Sequence, residues 1–186
     1  MARVCVLLAE GFEELEAITI IDILRRAEVE VVTLSVQGSG LKVRGSHGVN
    51  VEADQTLLEA ASEAWDMVIL PGGLPGATNL RDTPEVQQLL KKQNQAGGKI
   101  GAICAAPIAL GAAGILEGKK ATSYPGFENE LRGATYVADR VVRDGNVVTS
   151  RGPGTAIEFA LELASELSSH EVAQGLRKGM LVETPP

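Results

Sequence analysis

The chain has 186 residues, 45% of them apolar, which suits a single domain over residues 1–186 built on one sizeable core. Seventeen basic residues against 24 acidic ones give a net charge of −7, which argues against the electropositive surface that a nucleic acid partner requires. Hydrophobic stretches break off well before the roughly 20 residues that span a bilayer, and Glu10 and Glu13 arrive too soon for a secretory leader, so a soluble cytoplasmic protein with no membrane attachment is expected.

In chain order, residues 4–9 (Val-Cys-Val-Leu-Leu-Ala) are continuously apolar, and largely apolar runs recur at 29–36, 67–70 and 100–103. Runs apolar on both faces suit buried parallel strands. The first run ends at an acidic cluster, Glu10, Glu13, Glu14 and Glu16, and a helix is predicted over 13–27. Leu15, Ile18, Ile20, Ile21, Ile23 and Leu24 cover most of its circumference, the pattern of a helix buried on all sides. Its outer face is covered either by the protein's own loops or by a second copy across a twofold axis.

Residues 41–53 depart from strand–helix alternation and read as an antiparallel addition. After the third run comes Pro71-Gly72-Gly73-Leu74-Pro75-Gly76, which fits neither the dinucleotide fingerprint nor the P-loop. Glycines there suit close backbone approach to a ligand, with N–H groups free to hold an oxyanion. A helix follows over 84–96, with Thr83 as N-cap and Pro84 in its first position. Asp144-Gly145-Asn146, between the apolar runs of 140–150, reads as a hairpin turn. Gly152-Pro153-Gly154-Thr155 reads as a rigid turn, Thr155 with Glu158 as a capping box for a helix over 156–167, and Ser168 with Glu171 as another before a terminal helix. Order is expected to fade only over 183–186. Alternating strands and helices imply an α/β fold: a mostly parallel sheet with helices on both faces, an added antiparallel hairpin, and ligands at the carboxyl ends of the strands.

The stretch Lys99-Ile100-Gly101-Ala102-Ile103-Cys104-Ala105-Ala106-Pro107 carries the most chemistry. A strand ends on a cysteine and small residues follow, which is the pattern of a nucleophile mounted on a sharp strand-to-helix turn. Free N–H groups at the start of the next helix would favour a thiolate over the free thiol. The other reading is a small buried core residue. Among the four glutamates Glu16 stands within an otherwise apolar stretch, where desolvation keeps a carboxyl group protonated; the other three read as solvated. A protonated Glu16 could donate to sulfur, whereas an ionised one would repel a thiolate, so the two would titrate as a pair. With only Cys5, Cys104, His47 and His170, no disulfide framework or zinc-like spacing is present, and neither metal nor cofactor is implied.

Ala-Ile-Cys-Ala-Ala-Pro, Leu-Pro-Gly-Gly, Glu-Glu-Leu-Glu-Ala and Thr-Ser-Arg-Gly-Pro-Gly-Thr together resemble the ThiJ/PfpI superfamily, in its DJ-one branch, from about residue 3 to 182. The resemblance implies a flavodoxin-like three-layer sandwich and a homodimer. It implies Cys104 as an oxidation-sensitive nucleophile, Glu16 as its protonated partner, and the amides of Gly73 and Ala105 as oxyanion donors beside Gly72. The activity it implies is a cofactor-independent glyoxalase and deglycase acting on small 2-oxoaldehydes (methylglyoxal, glyoxal) and early glycated adducts, with protection against oxidative stress. The alternatives are a redox-sensing, chaperone-like protein whose cysteine oxidises to sulfinate, and a cysteine hydrolase or protease. Two positions depart from the pattern. Tyr124-Pro125 stands where several members have histidine before proline, so a phenol that donates but is a poor base at neutral pH lines the substrate side. His47 stands where an arginine often reaches the partner subunit's site.

Overall fold

The computed structural model describes residues 1–36, 38 and 40–182. Its elements are β1 (Arg3–Leu8), α1 (Glu14–Arg26), β2 (Glu30–Ser35), β3 (Lys42–Arg44), β4 (Asn50–Glu52), β5 (Gln55–Thr56), β6 (Met67–Leu70), α2 (Gly76–Asp82), α3 (Pro84–Gln95), β7 (Lys99–Ile103), α4 (Pro107–Ala112), β8 (Lys120–Ala121), β9 (Thr135–Tyr136), β10 (Val141–Asp144), β11 (Val147–Ser150), α5 (Ala156–Leu167) and α6 (His170–Gly179). Seven strands form one sheet in the order β10-β11-β7-β6-β1-β2-β5. All neighbours are parallel except β10 with β11.

Side chains alternate across the sheet, as strand geometry demands. Val4, Val6, Leu8, Met67 and Ile69 join one apolar layer with Ile20 and Leu24 of α1 and Phe159 and Leu163 of α5. Cys5, Leu7, Val68 and Leu70 join the opposite layer with Val86 and Leu90 of α3 and Leu110 of α4. The result is a three-layer α/β sandwich. Each fully buried Leu, Ile or Phe adds about 1.5–3 kcal/mol from the area withdrawn from water. The central strands β6, β7 and β1 are thereby pinned, and their carboxyl ends fix the loops that follow.

The antiparallel additions expected over 41–53 and 140–150 are present, and several helix caps differ from expectation. The hairpin expected over 41–53 is β3 paired with β4, a separate two-stranded sheet. Over 140–150 only β10 is antiparallel, because β11 aligns parallel with β7. Thr155 does not cap α5: its hydroxyl accepts from Gly152 N at 3.1 Å and meets Ser150 Oγ at 2.6 Å, tying the turn to the end of β11. The cap of α6 is Ser169, not Ser168, with Oγ accepting from Val172 N at 3.2 Å. Thr83 occupies the N-cap of α3, yet its hydroxyl donates back to Asn79 O in α2, a helix the sequence reading lacked. Residues 183–186 lie outside the described residues. Of the two covers expected for the outer face of α1, the chain's own loops do not supply one, since Leu15 and Ile18 are 64% and 46% exposed.

Candidate functional site

β7 ends at Ile103, and Cys104 adopts a left-handed backbone with φ of 64° before the chain turns into α4. A side chain in that region is strained and persists only where neighbours hold it. The holders are specific: Cys104 N donates to Ser150 O at 3.0 Å, and Tyr124 N donates to Cys104 O at 2.8 Å. Neither contact was legible in the sequence, since both join segments remote along the chain. Cys104 is 8% exposed, whereas Cys5 is sealed in the core, where burial drives its thiol far above the ordinary range.

Glu16, on the first turn of α1, is wholly buried. Its Oε2 accepts the Gly72 amide at 2.7 Å, while Oε1 is buried without a hydrogen-bond donor. The carboxyl group also interacts directly with the Cys104 sulfur, so the two titrations are coupled. Burial pushes Glu16 up to about 7, against the pull of the Gly72 amide and the thiol. Burial and the charge of an ionised Glu16 push Cys104 up to about 12, while the amides of Ala105 and Gly73 pull it down. The helix contributes less than the sequence suggested, because α4 is only six residues long. The balance therefore turns on where the shared proton sits. A carboxyl oxygen without a donor favours the proton on Glu16, and a neutral Glu16 no longer repels a thiolate.

Gly72 and Gly73 lie against this pair for steric reasons. A Cβ on Gly72 would sit 2.6 Å from Cys104 Cβ and 2.9 Å from both Glu16 Oε2 and Ile103 O. Gly73 has φ of 92° and is pressed against the backbone of Gly11, Phe12 and Glu13, and Glu13 N donates to Gly72 O at 2.8 Å.

The acidic cluster divides. Glu10 is exposed, but Glu13 and Glu14 are buried, contrary to the expectation that both are solvated. Glu13 caps α1, Oε2 accepting from Glu16 N at 2.8 Å. Glu14 accepts from His47 N at 2.7 Å, Val49 N at 3.3 Å and Ser46 Oγ at 3.2 Å, and pairs with His47 Nδ1 at 2.9 Å. Burial raises the Glu14 pKa, but the His47 ring and the amides outweigh it and bring it to about 2. Glu14 in turn raises His47, whose side chain is 75% exposed. One ligand atom from each of Glu13, Glu14 and His47 lies within 4.8 Å of the others, a cation-like grouping that sequence spacing concealed. The Glu14 oxygens are already engaged by four partners, so the arrangement is a hydrogen-bonded staple and not an open ligand set.

Cys104, Glu16, Gly72, Gly73 and Ala105 are thus brought together. Tyr124 joins them through its backbone; its side chain is 47% exposed and lies against Gly152. His47 is held by Glu14 and Ser46. Among the described residues no imidazole hydrogen-bonds Cys104. A surface cavity of about 660 Å³, lined by Met1, Trp65, Lys92 and Lys99 among others, lies at the opposite ends of the strands and contains none of these groups.

A cysteine at a strand-to-helix elbow, at the carboxyl end of a parallel sheet and in contact with a buried carboxyl group, marks an α/β protein of the cysteine-elbow class. The chain belongs to the DJ-1/PfpI family, whose model matches residues 2–166. It is 46% identical over 179 residues to the protein dj-1beta of Drosophila melanogaster, covering 95% of each chain, and the crystal structure of that protein superposes with a TM-score of 0.94 over 98% of this chain and 99% of that one. The oxidized DJ-1 of Toxoplasma gondii superposes with a TM-score of 0.94 at 39% identity, over 99% of this chain and 100% of that one. A glutathione-independent glyoxalase of Caenorhabditis elegans, DJR-1.2, is 37% identical over 170 residues, covering 91% of this chain and 90% of that protein. The flavodoxin-like fold implied by sequence is the fold of these relatives. No helix among the described residues is long and apolar enough to cross a membrane.

Proposed function

We propose that this protein is a cysteine-dependent glyoxalase that converts small 2-oxoaldehydes such as methylglyoxal to 2-hydroxy acids and acts on early glycated adducts. The observation that carries the reading is the strained Cys104 elbow in contact with a buried carboxyl group whose Oε1 lacks a donor. A relative named as a glutathione-independent glyoxalase supports it. In the scheme the Cys104 thiolate forms a C–S bond to the aldehyde carbon, and the oxyanion is held by the amides of Gly73 and Ala105. Glu16 gives its proton to that oxygen, and as carboxylate takes the hydrogen from the former aldehyde carbon and passes it to the oxygen of the adjacent carbon, which makes the enediol; it then takes the proton of the first hydroxyl and delivers it to the adjacent carbon, which leaves a 2-hydroxy thioester. The resulting thioester is cleaved by water, which releases the 2-hydroxy acid and restores the thiol and the carboxyl proton. Every proton moved has a named donor, and the scheme uses no cofactor. Tyr124 and His47 are assigned to the substrate rim.

The proposal extends to a cytoplasmic homodimer of single-domain subunits in which α1, with Leu15 and Ile18 exposed, meets its counterpart. Lactate formation from methylglyoxal by the purified protein and by Cys104→Ala tests the reading. Loss in the variant supports it, and equal rates refute it.

A second reading makes Cys104 a sensor whose sulfinate is the output, with chaperone-like protection against oxidative stress. The amides and acid proton that would hold an oxyanion would equally hold sulfinate oxygens, and one relative is described as oxidized. Mild peroxide followed by intact mass separates the two: addition of two oxygens at Cys104 with negligible turnover favours the sensor. A histidine-activated hydrolase lacks its imidazole, since His47 is engaged by Glu14 and His170 opens α6.

A further inference from the structure

We infer that Glu14 is a positioning residue for the oxyanion-binding turn: its buried carboxylate fastens the β3–β4 hairpin to the start of α1, and the hairpin braces the loop that holds Gly72 and Gly73 against Cys104. The inference rests on the glyoxalase reading for its kinetic consequence but not for its structural one.

The path is a chain of contacts. Glu14 Oε1 accepts the amides of His47 and Val49, and Oε2 meets Ser46 Oγ and His47 Nδ1, so one carboxylate engages the whole tip of the hairpin. Gly45 is moulded around it, for a Cβ there would collide with the Glu14 side chain. The hairpin then grips the loop before α1, with Gly11 N donating to Arg44 O at 2.8 Å and Ser46 N donating to Phe12 O at 2.8 Å. That loop clasps the glycine turn: Glu13 N donates to Gly72 O at 2.8 Å, Gly76 N donates to Gly11 O at 3.2 Å, and Gly73 lies flat on the backbone of Gly11 to Glu13. The turn finally presents the Gly72 amide to Glu16 and the Gly73 amide to Cys104.

Glu14 touches neither the sulfur nor Glu16 along this path; it acts through main chain. The carboxylate suits the task because several N–H and O–H donors converge on one ionised group, and charge-assisted hydrogen bonds are the strong ones. Burial of the group makes the loss of any donor costly. A helix-capping role would need only the Glu13 side chain, which already caps α1. The fold therefore commits a second buried carboxylate to the hairpin, which lies outside the main sheet and, among the described residues, pairs with no other strand.

The test is Glu14→Gln, which keeps the shape, removes the charge, and turns one acceptor oxygen into a donor facing Ser46 and His47. Three readouts are taken: thermal unfolding, the pH profile of Cys104 alkylation followed by intact mass, and kcat and KM for methylglyoxal. The expected result is a folded variant whose alkylation profile moves to higher pH. Its kcat falls by about tenfold to a hundredfold, the loss that a misplacement on the order of 1 Å produces, while KM stays within about twofold. A folded variant with the parent's alkylation profile overturns the inference, whatever its turnover. Should Glu14→Gln not fold, Ser46→Ala removes a single bond to Oε2; a smaller shift of the profile in the same direction supports the inference and an unmoved profile overturns it. If the unaltered protein does not turn over methylglyoxal, the alkylation profile still decides the structural claim while the glyoxalase reading fails alone.

Discussion

Replacing Gly72 by alanine is the sharpest perturbation the site offers. The new methyl carbon would lie 2.6 Å from Cys104 Cβ, 2.9 Å from Glu16 Oε2 and 2.9 Å from Ile103 O. Ordinary carbon–carbon contact lies at about 3.5–4.0 Å, so the groups must part by about 1 Å. Ile103 O belongs to β7, which is paired on both sides, and Cys104 is tied to Ser150 and Tyr124 through its own backbone. The movement therefore falls on Glu16 and on the glycine turn, and it pulls apart the 2.7 Å bond from Gly72 N to Glu16. Overpacking of this kind costs about 1–3 kcal/mol. For a chain of this length that is a fall in melting temperature of about 2–12 °C. A displacement on the order of 1 Å at the reacting groups lowers turnover by about a hundredfold. Calorimetry, alkylation of Cys104 across pH, and methylglyoxal turnover read the three effects. A Gly72→Ala protein with parental stability, alkylation profile and turnover would refute the steric account of the site.

Three further outcomes follow from the same geometry. Glu16→Gln keeps the position neutral, as the protonated carboxyl group does, so alkylation of Cys104 at neutral pH is held, while turnover falls by about 10²–10⁴-fold because the proton carrier is gone; a parallel loss of both would contradict the division of labour. Stability depends on pH with two opposite signs. Burial holds the folded Glu16 carboxyl up at about 7, above the ordinary 4.5, so the native state binds the extra proton and stability falls as pH rises across that window, by on the order of 3 kcal/mol. Glu14, lowered to about 2, contributes stability that is present above 4.5 and lost as pH falls toward 2, trimmed because its His47 partner faces solvent. Urea titrations from acid to neutral pH measure both slopes, and Glu16→Gln should flatten only the first. Ile18→Glu places a charge on the exposed face of α1 and should convert a dimer to monomers in sedimentation velocity; an unchanged association state would remove α1 from the interface.

The main architecture was legible because the strand runs are apolar on both faces and the helix starts carry proline or small polar residues. The same logic singled out Cys104, at the end of an apolar strand and before Ala105-Ala106-Pro107, although a small buried core residue was an equal reading of the local sequence. Glu16 was legible as a carboxyl group in an apolar stretch. Glu13 and Glu14 were not, because their burial depends on the Gly72 carbonyl and on a hairpin tip about 33 residues away, contacts with no local signature. Thr155 and Ser168 misled for a related reason: each fits a capping motif locally, but Thr155 is drawn to Ser150, and the helix start at His170 leaves Ser169 as the cap. The exposed face of α1 shows the limit of periodicity. Apolar side chains around a helix indicate that every face wants cover, not what supplies it.

The central claim of the proposed function is that at neutral pH the Cys104–Glu16 pair keeps its proton on oxygen and its charge on sulfur, against the burial that raises the thiol. Titration of the Cys104 thiolate by its ultraviolet absorbance, taken as the difference between the parent and Cys104→Ser, tests this directly. The account predicts a substantial thiolate signal at neutral pH that disappears on acidification. A sulfur that stays protonated until strongly alkaline pH would contradict it.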